Sequence, residues 1–309
     1  MNVNDFIPLW ESDTKKTVRA WDFEEKWQSF HAPNGRLMSC AHRGDRNQIY
    51  PENSLEAFYS AVLAGADMLE ADIRVTKDGV PIVMHDETLT RTTDLSALRA
   101  AGAKGLPKSD LVADWMLEEV RRLRPVMPDG SMTDCHIPTL EEVILLAKDR
   151  CFVTLDKTES FSFEEQIMPL IEKHDAWRTV LVPYIYDFER VSAIQEMIKE
   201  KCGHYAPYFA RAERKGQMNE ERMAAAIDFL REVGYAPILR SGEFFAENES
   251  ITAFLQAHVK GKYRLYAESL QAPHDNEENW RKMAEAGCGI LMGNRNYELI
   301  EFVRRYNKK

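Results

Sequence analysis

Cysteine is scarce in this 309-residue sequence: Cys40, Cys135, Cys151, Cys202 and Cys288 are odd in number, and no two stand two residues apart. That excludes a disulfide-stapled scaffold and a zinc knuckle. It leaves Cys40, Cys151 and Cys288, in or beside apolar runs, as small core hydrophobes. Long apolar runs are lacking as well; stretches such as 143–147 fall far short of the ~20 residues that cross a bilayer, so no transmembrane helix is expected. Positive charge is in deficit, with 40 Lys and Arg against 50 Asp and Glu and a formal net charge of −10. This argues against a nucleic-acid-binding surface and a basic membrane-binding face, and toward a small-molecule partner. Residues 1–16 mix Asp5, Glu11 and Asp13 with apolar residues and lack the basic-then-apolar layout of a secretory signal, so a cytoplasmic location is expected. The remaining balance, 44% apolar and 29% charged residues, is that of a soluble globular chain able to bury a large core.

From residue 38 onward, short β-rich runs alternate with amphipathic helical patterns, the signature of parallel strands joined by crossover helices. Strands are predicted at Met38–His42, Met68–Val75, Phe152–Asp156, 180–184, 205–209, 237–240, 263–267 and 289–292. This set suits an α/β fold closed as a (β/α)8 TIM barrel. A ninth strand, 81–85, follows the turn signal Asp78-Gly79 too closely for a crossover and is predicted to fold back antiparallel. After Asn53, the residues Leu55, Phe58, Tyr59, Val62 and Leu63 share one helical face, and Gly65 stands at a left-handed cap. Asn53 with Glu56, Thr139 with Glu142 and Ser162 with Glu165 read as capping boxes. Asn276 and Gly287 bracket a further helix that carries Trp280 and Met283. Residues 1–36 read as an N-terminal helical extension whose Trp10, Trp21, Phe23 and Trp27 pack on a barrel spanning 37–309. The barrel carries an insertion over about 88–138, after the strand of His85, longer than an ordinary barrel connection and placed to form a lid or subdomain.

Functional residue types concentrate between Cys40 and Asp94. Side chains two apart on a strand share a face, so Glu70, Asp72 and Arg74 put charge where a core strand would be apolar. Burying such a face unpaired costs roughly several kcal/mol per ion unless a metal or counter-ions neutralise it. A two-residue loop at Asp78-Gly79 sets Asp72 opposite His85, on the face of Glu70, whereas a one-residue slip turns His85 away. His42 ends the first strand, beside the second, at the carboxyl end where barrel sites are built. Paired carboxylates suit Ca2+ or Mg2+, and two imidazoles can act as base and acid on opposite sides of one reaction. Arg43 adds a planar fork for phosphate oxygens. The inventory describes metal-assisted displacement at phosphorus.

On these residues the sequence resembles the glycerophosphodiester phosphodiesterase family. The resemblance runs through Ala41-His42-Arg43-Gly44, Pro51-Glu52-Asn53-Ser54, Gly65-Ala66-Asp67-Met68-Leu69-Glu70-Ala71-Asp72, Thr76-Lys77-Asp78-Gly79, His85-Asp86 and Arg91-Thr92-Thr93, and resumes at Ile137-Pro138-Thr139-Leu140-Glu141-Glu142. It implies a TIM barrel that cleaves glycerophosphodiesters to an alcohol and glycerol phosphate. By the same resemblance, His42 and His85 are the acid–base pair, Glu70 and Asp72 bind one divalent cation, Ca2+ or Mg2+, and Arg43 holds phosphate. The family's third acidic ligand falls on the strand after the insertion, where Asp156 stands.

Departures from the family pattern are equally specific. The family's Glu-x-Lys becomes Asp156-Lys157-Thr158, so Lys157 reaches the phosphate only if the strand ends or bulges there. The Thr-Asp after the last strand becomes Gly293-Asn294, and Glu268 stands where a small polar residue is common. These changes admit two further readings: a same-fold phosphodiesterase for another head group, phospholipase D-like or cyclising, and a catalytically silent barrel that binds a phosphodiester. Glu52 reads as first-turn negative charge favoured by the helix dipole, with a contact to the site as the alternative. Tyr184, Tyr186 and Tyr208 read equally as pocket wall or barrel packing. His136, His174, His204, His258 and His274 read as packing or surface residues.

Overall fold

The computed structural model describes residues 23–182, 188–208, short stretches at 210–211, 213–214, 217–218, 224–225, 228 and 238–243, and residues 264–308. Its strands are β1 (Met38–His42), β2 (Met68–Val75), β3 (Pro81–Val83), β4 (Phe152–Asp156), β5 (Ala210–Arg211), β6 (Glu213–Arg214), β7 (Gln217–Met218), β8 (Ile238–Glu243), β9 (Arg264–Ser269) and β10 (Cys288–Gly293). The expected strand at 180–184 shows as bridges at Val180 and Val182, and that at 205–209 as a bridge at Tyr208. Residues 183–184, 209, 237 and 263 of the expected strands, and Trp10, Trp21, Tyr184 and Tyr186, lie outside the described residues.

Parallel pairing runs from β1 to β2 and on to β4. It continues through Val153–Val180 and Val182–Tyr208, then from β5 to β8, β9 and β10, and so back to β1. The result is a curled α/β sheet. Alternation along the strands separates two apolar clusters, as the period of two requires. Leu69, Ala71 and Ile73 of β2, with Val153 and Leu155 of β4, pack among residues of the surrounding helices such as Phe58, Val143 and Phe302. Met68, Phe152, Met38, Cys40, Tyr266, Ile290 and Met292 form the other cluster. In the same alternation as Met68 and Phe152, but nearer the carboxyl ends, come Glu70, Asp72 and Asp156.

The helix Phe23–His31 closes the amino-terminal end of this second cluster. Phe30 and Phe23 meet Phe152 with ring centroids at 4.7 and 5.2 Å, and Trp27 lies 6.3 Å from the same ring. Lys26 is buried and donates to the carbonyls of Ala66 and Arg150, both at 2.9 Å. Arg264, also buried, donates to the Ser29, Arg36 and Gly289 carbonyls. Cations thus hold backbone acceptors that this end of the sheet would leave dry.

The chain departs from expectation at three local points, one of them the Ser162–Glu165 box: Ser162 Oγ accepts from Glu165 N, but Ser162 N donates to Gln166 Oε1 at 2.8 Å and not to Glu165. The Leu55–Ala64 helix is capped by Ser54, whose hydroxyl accepts from Ala57 N, and not by Asn53; Glu56 instead accepts from His136 Nδ1 and N. In the β2–β3 hairpin, Thr76 N donates to Val80 O, and Lys77-Asp78-Gly79 form a three-residue loop with Gly79 at φ 79°. This extra loop residue, with glycine in the left-handed conformation, moves the register by one. Ile73 pairs with Val83 and Arg74 with Ile82, so Met84, and not His85, comes opposite Asp72. The expected Thr139–Glu142 capping box is present.

Residues 86–138 carry the short helices Leu95–Ala100 and Leu117–Val120. Their apolar residues Leu89, Leu95, Val112, Trp115, Val120 and Leu123 form one cluster with Ile82 and Met84. No helix among the described residues is long and apolar enough to cross a membrane.

Candidate active site

Register alone brings the acidic residues together. His42 of β1 pairs with Glu70 of β2, and Asp72 of β2 pairs with Asp156 of β4. One ligand oxygen from each of Glu70, Asp72 and Asp156 lies within 4.8 Å of the other two. Glu70 and Asp72 are each 1% exposed. Asp72 Oδ2 accepts from Asn53 Nδ2 at 2.9 Å and lies 3.1 Å from Arg43 Nε, whereas Asp72 Oδ1 is buried with no hydrogen-bond partner. A buried carboxylate oxygen left in that state carries an uncompensated desolvation cost. An all-oxygen donor set fits a hard divalent cation.

His42 is buried with its Nε2 3.8 Å from Glu70 Oε2 and its Nδ1 2.7 Å from Asn294 Oδ1. Burial, with the charge of Arg43 next, pushes its pKa well below the ordinary histidine value. Arg43 stands at φ 56°, and its amide donates to Glu70 Oε2 at 3.1 Å. Its Nη1 donates to Glu52 Oε1 at 3.0 Å.

Glu52 therefore faces the site, in addition to the negative charge it adds near the start of the helix. It also accepts from Arg91 Nη2 at 2.7 Å. Burial works to raise its pKa, but Arg43 and Arg91 outweigh this and hold the carboxyl below its usual range. Arg91 in turn reaches Asp86, with Nε 2.5 Å from Oδ2.

His85 lies beyond the end of β3, so the hairpin ladder does not set its direction. Its backbone carbonyl is held by Arg74 and its Nδ1 lies 2.6 Å from Asp86 Oδ1. A carboxylate accepts, so the ring nitrogen donates and Nε2 is left for other work. His85 lines a pocket with Glu52, Asn53, Met84, Thr92 and Ile137. At the end of β4, Lys157 adopts the left-handed conformation, φ 61° and ψ 42°, and its amide donates to Asp156 Oδ1 at 2.9 Å. The strand stops there, so strict alternation no longer assigns the Lys157 side chain to the opposite face.

The structure also brings in residues that the sequence reading left out or gave other work. Asn53 bonds Asp72 instead of capping a helix, and Asn294 touches His42. Asp275 organises the turn after β10, accepting from Asn294 N at 2.7 Å and Arg295 N at 2.9 Å. The departure at Gly293-Asn294 was the sequence signal for the last two. Tyr208 is buried in the outer apolar cluster, and Glu268 of β9 is also buried.

A curled β/α sheet with three carboxylates and a histidine at the carboxyl ends of its strands defines a barrel-type protein with a candidate metal-assisted site. Residues 42–228 match the Glycerophosphoryl diester phosphodiesterase family, and the chain belongs to that family. It is 33% identical over 153 residues to a glycerophosphodiester phosphodiesterase of Caldanaerobacter subterraneus, a match covering 48% of this chain and 57% of that one. The chain thus spans little more than half the length of this curated relative. Among solved structures, a glycerophosphoryl diester phosphodiesterase from Parabacteroides distasonis superposes with a TM-score of 0.69, at 22% identity and 94% coverage of both chains. An Oleispira antarctica phosphodiesterase in complex with the product sn-glycerol-3-phosphate gives 0.60, at 19% identity, covering 87% of this chain and 97% of that one. At these identities the structural likeness speaks for the fold.

Proposed function

We propose that this chain hydrolyses glycerophosphodiesters to an alcohol and sn-glycerol 3-phosphate. In this reading Glu70, Asp72 and Asp156 hold one divalent cation, Ca2+ or Mg2+, His42 and His85 are the acid–base pair, and Arg43 and Lys157 face the phosphate. The observation that carries it is the convergence of the three carboxylates within 4.8 Å beside the buried His42. The product complex of the Oleispira relative supports the substrate class. Small, soluble diesters in the cytoplasm, with no nucleic-acid partner and no membrane insertion, fit the net charge of −10. A (β/α)8 TIM barrel, with an extension over 1–36 and an insertion over about 88–138, is the architecture that goes with it.

One imidazole takes the proton of an attacking hydroxyl, from water or from the substrate itself, as the new O–P bond forms. The other gives a proton to the departing alcohol oxygen as the old P–O bond breaks. The cation, when bound, offsets charge on the phosphoryl oxygens. Arg43 offers the same kind of help from a guanidinium already oriented by Glu52 and Asp72.

Supplying glycerophosphocholine and related diesters with Ca2+ or Mg2+, and following the products by 31P NMR, tests this reading. Release of glycerol phosphate that EDTA abolishes is expected. Turnover of another diester with no glycerol phosphate would overturn the substrate class. The changes at Gly293-Asn294 and Glu268 favour that second reading, a phosphodiesterase of the same fold for a different head group.

A further inference from the structure

The Leu270 carbonyl oxygen lies 2.7 Å from Asn294 Nδ2. A carbonyl only accepts, so the Asn294 amide must turn its nitrogen to Leu270 and its oxygen to the other side. A flipped amide would set oxygen against oxygen. On that other side, Asn294 Oδ1 lies 2.7 Å from His42 Nδ1. An amide oxygen also only accepts, so neutral His42 carries its proton on Nδ1 and keeps the lone pair on Nε2. Nε2 is the nitrogen 3.8 Å from Glu70 Oε2, toward the acidic cluster.

We propose that Asn294 is a positioning residue that fixes His42 in the Nδ1–H tautomer, making Nε2 the atom that takes a proton from the attacking hydroxyl. The assignment of that proton rests on the phosphodiesterase reading above; the tautomer does not.

The surroundings of Asn294 are built to hold it there. Gly293 pairs with Ala41 across β10 and β1, which brings the next residues, Asn294 and His42, side by side. A Cβ at Gly293 would run into the Asp275 carboxylate. That buried carboxylate accepts from the amides of Asn294 and Arg295 through Oδ2 and from Trp280 Nε1 at 3.0 Å through Oδ1. Asn296 accepts from His42 N and donates to His42 O, both at 3.2 Å, and donates to Gly44 O at 2.8 Å. The turn after β10 and the first residue of the helix that follows it, Asn296–Tyr306, therefore hold the ring and the backbone of His42. Because Asp275 holds the turn through main-chain amides, removing the Asn294 side chain leaves the turn anchored. An aspartate at 294 would keep an acceptor for Nδ1 while turning its second oxygen toward the Leu270 carbonyl.

NMR of the full chain labelled with 15N-histidine tests this, the His42 signals being identified with a His42→Gln variant. The wild-type protein is expected to show a protonated Nδ1 and an unprotonated Nε2 at His42. In Asn294→Ala the two tautomers are expected to mix, with kcat toward a glycerophosphodiester falling on the order of 10²-fold and KM changing less than about threefold. Asn294→Asp, which restores an acceptor, is expected to return His42 to the Nδ1–H form and to recover about tenfold of the lost kcat. A wild-type proton on Nε2, or an Asn294→Ala spectrum like that of the wild type, would overturn the proposal. Should the spectra behave as expected while no diester is turned over, the tautomer assignment stands and the phosphodiesterase reading falls.

Discussion

Arg74 grips the backbone carbonyl of His85 with two nitrogens, Nε at 3.1 Å and Nη2 at 2.7 Å. It stands on β2 in the same alternation as Glu70 and Asp72, so one strand presents both the acidic cluster and the fork that holds the second histidine. Strand β3 ends at Val83 and the last hairpin bond runs from Met84 N to Asp72 O at 2.8 Å, and this guanidinium carries the chain on to His85.

Replacing the fork should therefore misplace an imidazole while sparing the fold. Arg74→Lys keeps the charge but cannot make both bonds from a rigid plane. A fall in kcat on the order of 10²-fold is expected, since displacements near 1 Å can cost that much. Steady-state kinetics beside an unchanged circular dichroism spectrum would check it.

The acidic cluster predicts a metal-dependent gain in stability. At a cation concentration of 100 times Kd, the folded state gains about 2.7 kcal/mol, visible as a rise in Tm that EDTA reverses. Asp156→Asn removes one of the three proposed anionic ligands and should shrink that rise; an equal rise in the variant would place the ion elsewhere.

Glu52 joins two arginines from different stretches, Arg43 and Arg91. Glu52→Gln leaves both with a weaker acceptor, at an expected cost of about 2 kcal/mol. Urea denaturation reads the loss. Because Arg43 also loses an orienting partner, KM should rise in the same variant.

At the opposite end of the sheet, Asp67 accepts from Arg36 Nη2 at 2.6 Å and Ser39 N at 3.0 Å, with Lys26 Nζ at 3.6 Å. Burial works to raise its pKa, but Lys26 and Arg36 outweigh this and hold the folded carboxyl below 3.8. Unfolded, Asp67 takes a proton near its ordinary value, so the unfolded state binds more protons as pH drops. The stability this residue contributes is complete above 3.8 and is lost as pH falls through the folded pKa. Asp67→Asn should flatten the acid limb of the urea midpoint measured from pH 5 to pH 2.

Much of the site was legible because strands have a fixed period. The alternation at Glu70, Asp72 and Arg74 named the charged face, and the position of His42 at a strand end named its level. Asp156, inferred from the family pattern, sits opposite Asp72 in the parallel register. What failed was a matter of single residues in turns. A loop of three residues where two were expected shifted the hairpin register by one, and a serine took the cap expected of Asn53.

The sequence by itself determined the family, the order of the strands and which side chains share a face, because local periodicity and spaced motifs are written along one chain. Only the tertiary structure decided which way each ring and fork is held. The partners of His42, Glu52 and His85 are Asn294, Arg91 and Arg74, supplied by other turns and strands. A hydrogen bond depends on tenths of an ångström between such segments, and no periodicity encodes that.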